Sequence, residues 1–410
     1  HLLAADSKLE PITLSEAGYL LLNHAKWKGV ISYDKFLQEC RVQNPPFAMD
    51  LQTKGFTAVD ESRLVMWFEA QQRSITPPNA TRAFNAAAGS RETDSLLEYF
   101  DALPACDVAD AEATIQEFCV SCLNIEDPLQ SEFVMRWLIG AVRRARNPGT
   151  QMDTTIVFVG PQGARKSTLL RELCPRPEWF RDDIPSMADR DGAIALVGKF
   201  IVEFSELAGV VGKEVEPVKA FLTRAVDNYR QIGTKEMIRL PRRNVFAATT
   251  NTERFLHDTS GARRFWPVSV HKILVTWLTA ENKTKLWAAA NALEAAGVPH
   301  WIEDDTRSDV ADLHDTHTDE DPWCDVIINM IRGRGEWLES ATSIALQLFE
   351  DPSRVTHKDV RRVGACLRKI GCEPHVKRLE GGGLKKGYRV PDEIAKRPER
   401  GDLANAAPPK

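Results

Sequence analysis

The sequence predicts an α/β fold built around a largely parallel sheet. Continuous apolar, β-rich runs at 155–159, 200–204 and 244–249 are typical of strands buried on both faces. Helical stretches separate these runs, for example one predicted at 218–226. Strands that alternate with helices favour parallel pairing. A fourth run at 264–270 contains a proline, which predicts an edge or irregular strand. The chain has 410 residues, enough for two or three domains.

Charge along the chain suggests how these domains are arranged. Nine acids crowd 303–321 against one arginine, which predicts a linker, while 354–389 carries eleven lysines and arginines against three acids. His314 and His317 stand beside acids in the linker and could be drawn as a metal site, but a solvated linker is favoured. The predicted segments are a mostly helical N-terminal region at 1–125, the α/β core at 126–300, the acidic linker at 301–321, a small basic domain at 322–395 and a flexible tail at 396–410.

Composition excludes several classes of protein. With 43% hydrophobic and 27% charged residues the chain is globular, and no apolar run approaches the roughly 20 residues that span a bilayer. Its eight cysteines show no framework spacing and indicate a reducing, cytoplasmic compartment. Cys119 and Cys122 form a single CxxC, which lacks the second pair that structural zinc needs. The start at His1, without methionine or signal peptide, is consistent with a fragment of a longer chain.

A phosphate-binding loop is the most specific motif. It follows the strand predicted at 155–159 and leads into a helix, so that backbone N–H groups can cradle phosphates. The predicted ATP-binding residues are Gly160, Pro161, Gln162, Gly163, Ala164, Arg165, Lys166, Ser167 and Thr168. We expect Lys166 to reach the β- and γ-phosphates and Ser167 to hold Mg²⁺. Arg165 stands where glycine is usual.

Polar residues follow the next two predicted strands. Glu203 and Glu206 lie at the carboxyl end of one strand, where α/β proteins bind ligands. We assign Glu203 to the metal and Glu206 to activation of the attacking water, although the sequence leaves their order open. Asn251 ends the following strand, where an amide can sense the γ-phosphate or orient water.

Two adjacent arginines complete the candidate catalytic set. Arg263 and Arg264 precede the proline-containing strand. An arginine supplied by a neighbouring subunit can stabilise charge on a transferring phosphoryl group. A solvated basic turn or a DNA contact is the alternative.

Taken in order, these motifs resemble the virulence-associated protein E (VapE/VirE-type) family, which is related to superfamily 3 helicases and AAA+ ATPases. The resemblance extends over roughly 27–301 and is carried by 160–173, 202–207, 218–230, 249–251 and 258–267. Arg165, and Ala262 where asparagine is common, depart from the family pattern. The resemblance implies an AAA+-like core in a homo-oligomeric, six-membered ring: a DNA-stimulated ATPase used in the replication of phages, plasmids or genomic islands. It also implies a primase-polymerase partner in cis or in trans.

The resemblance gives a further role to the segment around 227–244. It implies a hairpin that projects into the central channel and tracks single-stranded or forked DNA. Lys219, Lys235 and Arg239 would then contact phosphates in a salt-sensitive manner. A solvated charged hairpin is the alternative interpretation.

The basic domain has its own pattern. A helix is predicted from Thr356, a capping residue, to Gly371, followed by strands at 374–379 and 384–390 around a glycine-rich turn. A helix followed by a glycine-tipped hairpin predicts a winged-helix-like domain. The predicted DNA contacts here are Arg361, Arg362, Lys385 and Lys386. Protein docking is the alternative.

The sequence therefore predicts an ATP-dependent DNA helicase or translocase, acting in replication of a mobile genetic element and hydrolysing ATP with Mg²⁺ in an oligomeric ring. Two alternatives remain open. One is a DNA-bound ATPase switch or replication loader that does not unwind DNA. The other is a non-enzymatic DNA-binding adaptor whose P-loop has degenerated at Arg165.

Overall fold

The computed structural model divides the chain into two compact units, 1–318 and 319–410. No described helix is long and apolar enough to cross a membrane. The finer division into five segments stays a prediction. The structure describes residues 9–46, 56–183, 190–207, 217–230, 237–253, 255, 264–302, 310, 313, 317, 322–335, 337–338, 340–349, 351, 354–378 and 384–395.

The first part of unit 1 combines helices with small sheets. Strands β2, β3 and β5 form one sheet in the order β3-β2-β5, and β1 pairs with β4. Buried residues of α1, α2 and α3 pack with β2 and β3 in a separate core. The elements are β1 (Glu10–Pro11), α1 (Leu14–Asn23), β2 (Ile31–Asp34), β3 (Glu39–Val42), α2 (Ala58–Ala70), β4 (Arg73–Ser74), α3 (Pro77–Gly89), β5 (Glu92–Thr93), α4 (Ser95–Asp101) and α5 (Val108–Glu117), where β2, β4 and β5 are two to four residues long.

The central part of unit 1 is a five-stranded parallel sheet with strand order β12-β6-β11-β8-β7. A two-stranded antiparallel hairpin, β9 and β10, lies between β8 and β11 in the chain. The elements are α6 (Pro128–Arg146), β6 (Thr155–Val159), α7 (Lys166–Leu173), β7 (Phe180–Arg181), α8 (Arg190–Ala195), β8 (Ile201–Phe204), α9 (217–222), β9 (Val226–Arg230), β10 (Met237–Pro241), β11 (Val245–Thr250), β12 (Phe265–Ser269) and α10 (Ala280–Ala295).

Both faces of the sheet are covered, which explains the continuous apolar runs. Ile156 and Phe158 of β6 point into a core shared with α5, α6 and α10, whereas Val157 and Val159 join a second cluster with Phe221 of α9. All five residues of β6 are buried. A strand with two buried faces cannot alternate apolar and polar residues, so the run is apolar throughout. The structure thus confirms the predicted α/β class.

One detail of the predicted core is confirmed and another comes out differently. The proline-containing run forms β12, which pairs only with β6 among the described strands and therefore lies at the edge, as expected. The helix expected at 218–226 ends at 222, because Val226 already pairs with Pro241 in the hairpin. The edge strand β7 has two residues, too few to produce a recognisable pattern.

The base of the β9–β10 hairpin is held by a buried ion pair. The Arg242 guanidinium donates to both carboxylate oxygens of Asp227, at 2.6 and 2.8 Å, and both side chains are almost fully buried. It also lies over the ring of Phe221, 4.3 Å from the centroid. Burial lowers the pKa of Arg242, while Asp227 opposes that shift. A clamped guanidinium of this kind fixes the hairpin to the strand that follows, β11.

Unit 2 is a small domain of helices and one three-stranded sheet with strand order β13-β15-β14. Its core includes Ile327, Ile344, Val363 and Leu367. Thr356 forms a capping box with Asp359, which sets the start of the long helix where the sequence predicted it. The elements are α11 (Pro322–Ile331), β13 (Trp337–Leu338), α12 (Ala341–Leu348), α13 (His357–Lys369), β14 (Glu373–Arg378), β15 (Leu384–Arg389) and α14 (Asp392–Ala395), which is the winged-helix order of helices and strands.

Candidate functional site

The loop of residues 160–165, between β6 and α7, forms the centre of the candidate site. Gly160 must be glycine, because a Cβ atom there would collide with the Val270 carbonyl oxygen. Gly163 adopts a left-handed conformation, with φ of 85°. Arg165 does the same, with φ of 67° and ψ of 30°, immediately before α7 begins. This is the conformation that glycine adopts most easily, so the loop keeps its backbone shape and bears the strain of a side chain.

Lys166 is anchored over the loop by three hydrogen bonds. Its Nζ donates to the carbonyl oxygens of Gly160 and Pro161, at 2.7 and 2.9 Å, and to Asn251 Oδ1 at 2.8 Å. Only 7% of Lys166 is exposed. Burial lowers its pKa, and the nearby Glu203 carboxylate opposes that shift. The lysine therefore links the loop to the end of β11, and the predicted pair Lys166 and Asn251 is brought together.

Glu203 is buried beneath the loop with one oxygen left over. Its Oε1 accepts hydrogen bonds from Ser167 Oγ at 2.6 Å and from Thr249 Oγ1 at 2.7 Å. Its Oε2 has no hydrogen-bond partner among the described residues, although only 1% of Glu203 is exposed. An orphaned carboxylate oxygen beside a serine hydroxyl is a suitable donor set for Mg²⁺, which binds one or two carboxylates together with substrate phosphates. The residues present thus fit a magnesium ion.

A cleft of about 400 Å³ opens above these groups, and we call it the phosphate cleft. Its walls come from the loop, the start of α7 and the carboxyl ends of β8 and β11. Glu206 is exposed here in a left-handed conformation, with φ of 54°. The lining residues are Gln162, Gly163, Arg165, Lys166, Ser167, Thr168, Ser205, Glu206, Thr249, Thr250 and Asn251.

Sequence reasoning missed Thr249 as a partner of Glu203. Its hydroxyl is buried and fixes the carboxylate from the neighbouring strand, because Ala247 and Glu203 are in register across β11 and β8. A threonine in a β-rich run is common in strands, so the pattern carried no signal of this role. Register between β8 and β11 is needed to find it.

Arg264 lies at the opposite edge of the sheet from the phosphate cleft. Parallel register aligns Phe265 with Thr155 and Ser269 with Val159, so Arg264 precedes the start of β12 while the loop follows the end of β6. Five residues at about 3.3 Å each put roughly 16 Å between the two edges. Its Nε is buried without a partner among the described residues. Arg263 lies outside the described residues.

The predicted DNA contacts are distributed unevenly. Arg239 is exposed on β10, but Lys219 of α9 is 6% exposed, so its side chain is not presented at the surface as expected. Lys235 lies outside the described residues. In unit 2, Arg361, Arg362 and Lys386 are exposed. Arg362 also stacks over the Trp323 ring, 4.1 Å from the centroid, and nothing is described of the Lys385 side chain.

Clusters that could hold a different metal are absent from the described residues: no group of three or more His, Cys, Asp or Glu side chains comes together there. Cys119 and Cys122 are both buried in a π-helical turn at Phe118–Cys122. Burial raises the pKa of each thiol to about 12. His317 is buried and contacts the Glu253 carbonyl oxygen at 2.6 Å, and His314 lies outside the described residues.

The parallel sheet and the lysine-bearing loop after β6 define the chain as an α/β protein with a P-loop-like core. A family model agrees: residues 103–319 match the virulence-associated protein E-like domain. The chain belongs to this family.

Two solved structures show a partial similarity to this chain. Among solved structures, the A form apo structure of the NrS-1 C terminal region is 13% identical, with a TM-score of 0.45 over 88% of this chain and 96% of that one. Another apo structure of the NrS-1 C terminal region is 14% identical, with a TM-score of 0.36 over 72% of this chain and 78% of that one. No curated protein matched the chain.

Proposed function

We propose that the protein is an ATP-dependent DNA helicase or translocase that hydrolyses ATP with Mg²⁺ in an oligomeric ring, as part of the replication of a mobile genetic element. Membership of the virulence-associated protein E-like family supports the coarser role. The observation that carries the chemistry is the orphaned Glu203 Oε2 beside Ser167 and beneath Lys166. A buried, unpaired carboxylate oxygen is costly, and a bound cation would remove that cost.

Each residue of the phosphate cleft has a place in this reaction. Lys166 exchanges its bonds to Gly160 and Pro161 for phosphate oxygens, since these carbonyls hold its ammonium only weakly compared with a charged partner. Ser167 and Glu203 would hold Mg²⁺, which would supply neutralisation of phosphate charge. Glu206, exposed at the cleft wall, is the proposed base for the attacking water. Asn251 accepts a hydrogen bond from Lys166 and lines the cleft. It is the proposed group that senses the γ-phosphate or orients the water.

The position of Arg264 favours an assembled site. Because it lies at the edge of the sheet opposite the loop, it cannot reach the nucleotide of its own chain. A neighbouring subunit can present Arg264, together with Arg263, to the transferring phosphoryl group.

Two surfaces are proposed for DNA. Arg239 of β10, together with Lys235, contacts the backbone of single-stranded or forked DNA. Arg361 and Arg362 of α13, with Lys385 and Lys386 of β15, are the second proposed set of DNA contacts. The buried Lys219 is left out of this proposal.

The test is the steady-state ATPase rate with and without single-stranded DNA, for the intact chain, for Lys166→Ala and for the control Lys285→Ala, whose exposed lysine pairs only with Glu281 among the described residues. DNA-stimulated turnover that Lys166→Ala abolishes and Lys285→Ala retains is expected. Forked-duplex unwinding then separates a helicase from a DNA-bound switch. Turnover at the same level in the wild type and in Lys166→Ala would refute the proposed ATPase activity. Absence of ATP binding would favour the non-enzymatic DNA-binding adaptor.

A further inference from the structure

A small cavity of about 20 Å³ lies at the base of the β9–β10 hairpin, and we call it the hairpin cavity. Its walls come from the turn after β2 at 35–36, the segment that leads into β8 at 196–199, Asp227 of β9, and 240–244 between β10 and β11. A space of this size has room for one molecule of the size of water.

Asn244 lines the hairpin cavity with hydrogen-bonding groups that the protein leaves unused. It lies immediately before β11, and only 2% of the residue is exposed. Its side-chain Oδ1 and Nδ2 are both buried without a hydrogen-bond partner among the described residues. A buried amide without partners is costly, and folded proteins almost always pair such groups with protein atoms or with ordered water.

The backbone around Asn244 is held on both sides. Its carbonyl oxygen accepts a hydrogen bond from Nη1 of the fully buried Arg144 at 2.8 Å. The next residue, Val245, donates its N–H to the Phe200 carbonyl oxygen at 2.8 Å. Because these bonds fix the main chain, the amide cannot turn out to solvent. A partner for the amide therefore has to lie inside the protein.

The polar side chains beside Asn244 are already engaged, except at one atom. Both carboxylate oxygens of Asp227 accept hydrogen bonds from Arg242. Arg243 uses Nη1 for Asp94, at 2.6 Å, and Nη2 for a backbone carbonyl oxygen at 3.0 Å. Its Nε is buried without a partner among the described residues. Two residues that line the cavity thus leave both donors and an acceptor unused.

We propose that the hairpin cavity binds one ordered water molecule, which donates to Asn244 Oδ1 and accepts from Arg243 Nε. A water molecule can donate and accept at the same time, so it satisfies unused groups of both kinds. The inference does not depend on the proposed function. It makes water a structural component of the point at which the hairpin meets β11.

A small anion is the competing ligand, because four cationic side chains line the cavity against one carboxylate. Each of these cations already has an acceptor: Arg242 has Asp227, Arg243 has Asp94, Lys35 has Glu92, and Lys199 has the Glu178 carbonyl oxygen. An anion would also leave Asn244 Oδ1 without a donor. Charge and hydrogen bonding together therefore favour water.

A crystal structure of the full chain, at a resolution that shows ordered water, tests the proposal without any substitution. We expect one water within about 2.7–3.2 Å of both Asn244 Oδ1 and Arg243 Nε. Crystals soaked in bromide test the competing ligand, because anomalous scattering locates bromide. A bromide peak in the cavity would overturn the water site, as would the absence of a water peak there.

Thermal unfolding of Asn244→Leu gives a second readout. If water bridges the amide, leucine removes the bridge and leaves Arg243 Nε unpaired, so Tm should fall by about 1–3 °C. If the amide is unpaired, an apolar side chain of similar size should not lower Tm, and a higher or unchanged Tm would contradict the proposal. The matched control, Gln116→Leu, replaces an exposed amide on α5, where the two residues have similar helix propensities, and should leave Tm unchanged.

Discussion

Replacement of Arg165 by glycine should move stability and nucleotide affinity in opposite directions. The left-handed backbone of Arg165 costs an L-residue about 1–2 kcal/mol, and glycine escapes that cost but loses about 0.5–1 kcal/mol more chain entropy on folding. The net gain is about 0.5–1 kcal/mol. In a unit of this size such a gain raises Tm by about 1–3 °C.

Affinity should fall because the same substitution removes a guanidinium that lines the phosphate cleft. A hydrogen bond to a charged group contributes about 1.5–3 kcal/mol, which corresponds to roughly a 10- to 100-fold higher Kd for ATP. Calorimetric melting and titration measure both effects on one sample. Arg165→Lys keeps a cation and the strain, so its Tm should match the wild type and its Kd should lie between the two.

The control for backbone strain is Gln72→Gly. Gln72 also has a positive φ, of 62°, and it does not line the phosphate cleft, so its replacement should raise Tm without a change in Kd. A lower Tm for Arg165→Gly, or an unchanged Kd for ATP, would refute the reasoning. The first result would mean that the side chain has stabilising contacts, and the second that the guanidinium does not face the nucleotide.

Three further predictions concern the rest of unit 1. Asp227→Asn leaves a buried guanidinium without its charge partner, so unfolding free energy should drop by about 3–5 kcal/mol in a denaturant melt, whereas Glu281→Gln on the surface should leave the midpoint unchanged. Gly160→Ala should abolish ATP binding in the calorimeter while the chain stays folded by circular dichroism, because its methyl group must displace the loop. Thiol titration at pH 8 should label the partly exposed Cys106 first and leave the buried Cys119 unlabelled until denaturant is added, because burial raises the Cys119 pKa to about 12; early labelling of Cys119 would contradict the packing.

Much of the core could be predicted from the sequence because its signals are local. A strand covered on both faces must be apolar along its length, so β6, β8 and β11 appear as runs, and the loop at 160–165 follows directly from its spacing. Lys166, Glu203 and Asn251 lie together because the carboxyl ends of parallel strands share one edge.

What could not be predicted depends on contacts between distant residues. Lys219 was predicted to contact DNA from the surface, but α9 packs against the sheet and buries this lysine. Two-residue strands such as β4 and β7 carry no periodicity at all.

The separation of Arg264 from the loop has a genetic consequence. If each working site combines the cleft of one chain with the arginine of the next, Lys166→Ala and Arg264→Ala are defects in different halves of a shared site. An assembly built from either variant alone would contain only inactive sites. In a mixed assembly, an Arg264→Ala chain supplies an intact cleft and an adjacent Lys166→Ala chain supplies the intact arginine, so mixing two inactive preparations would restore turnover at some junctions.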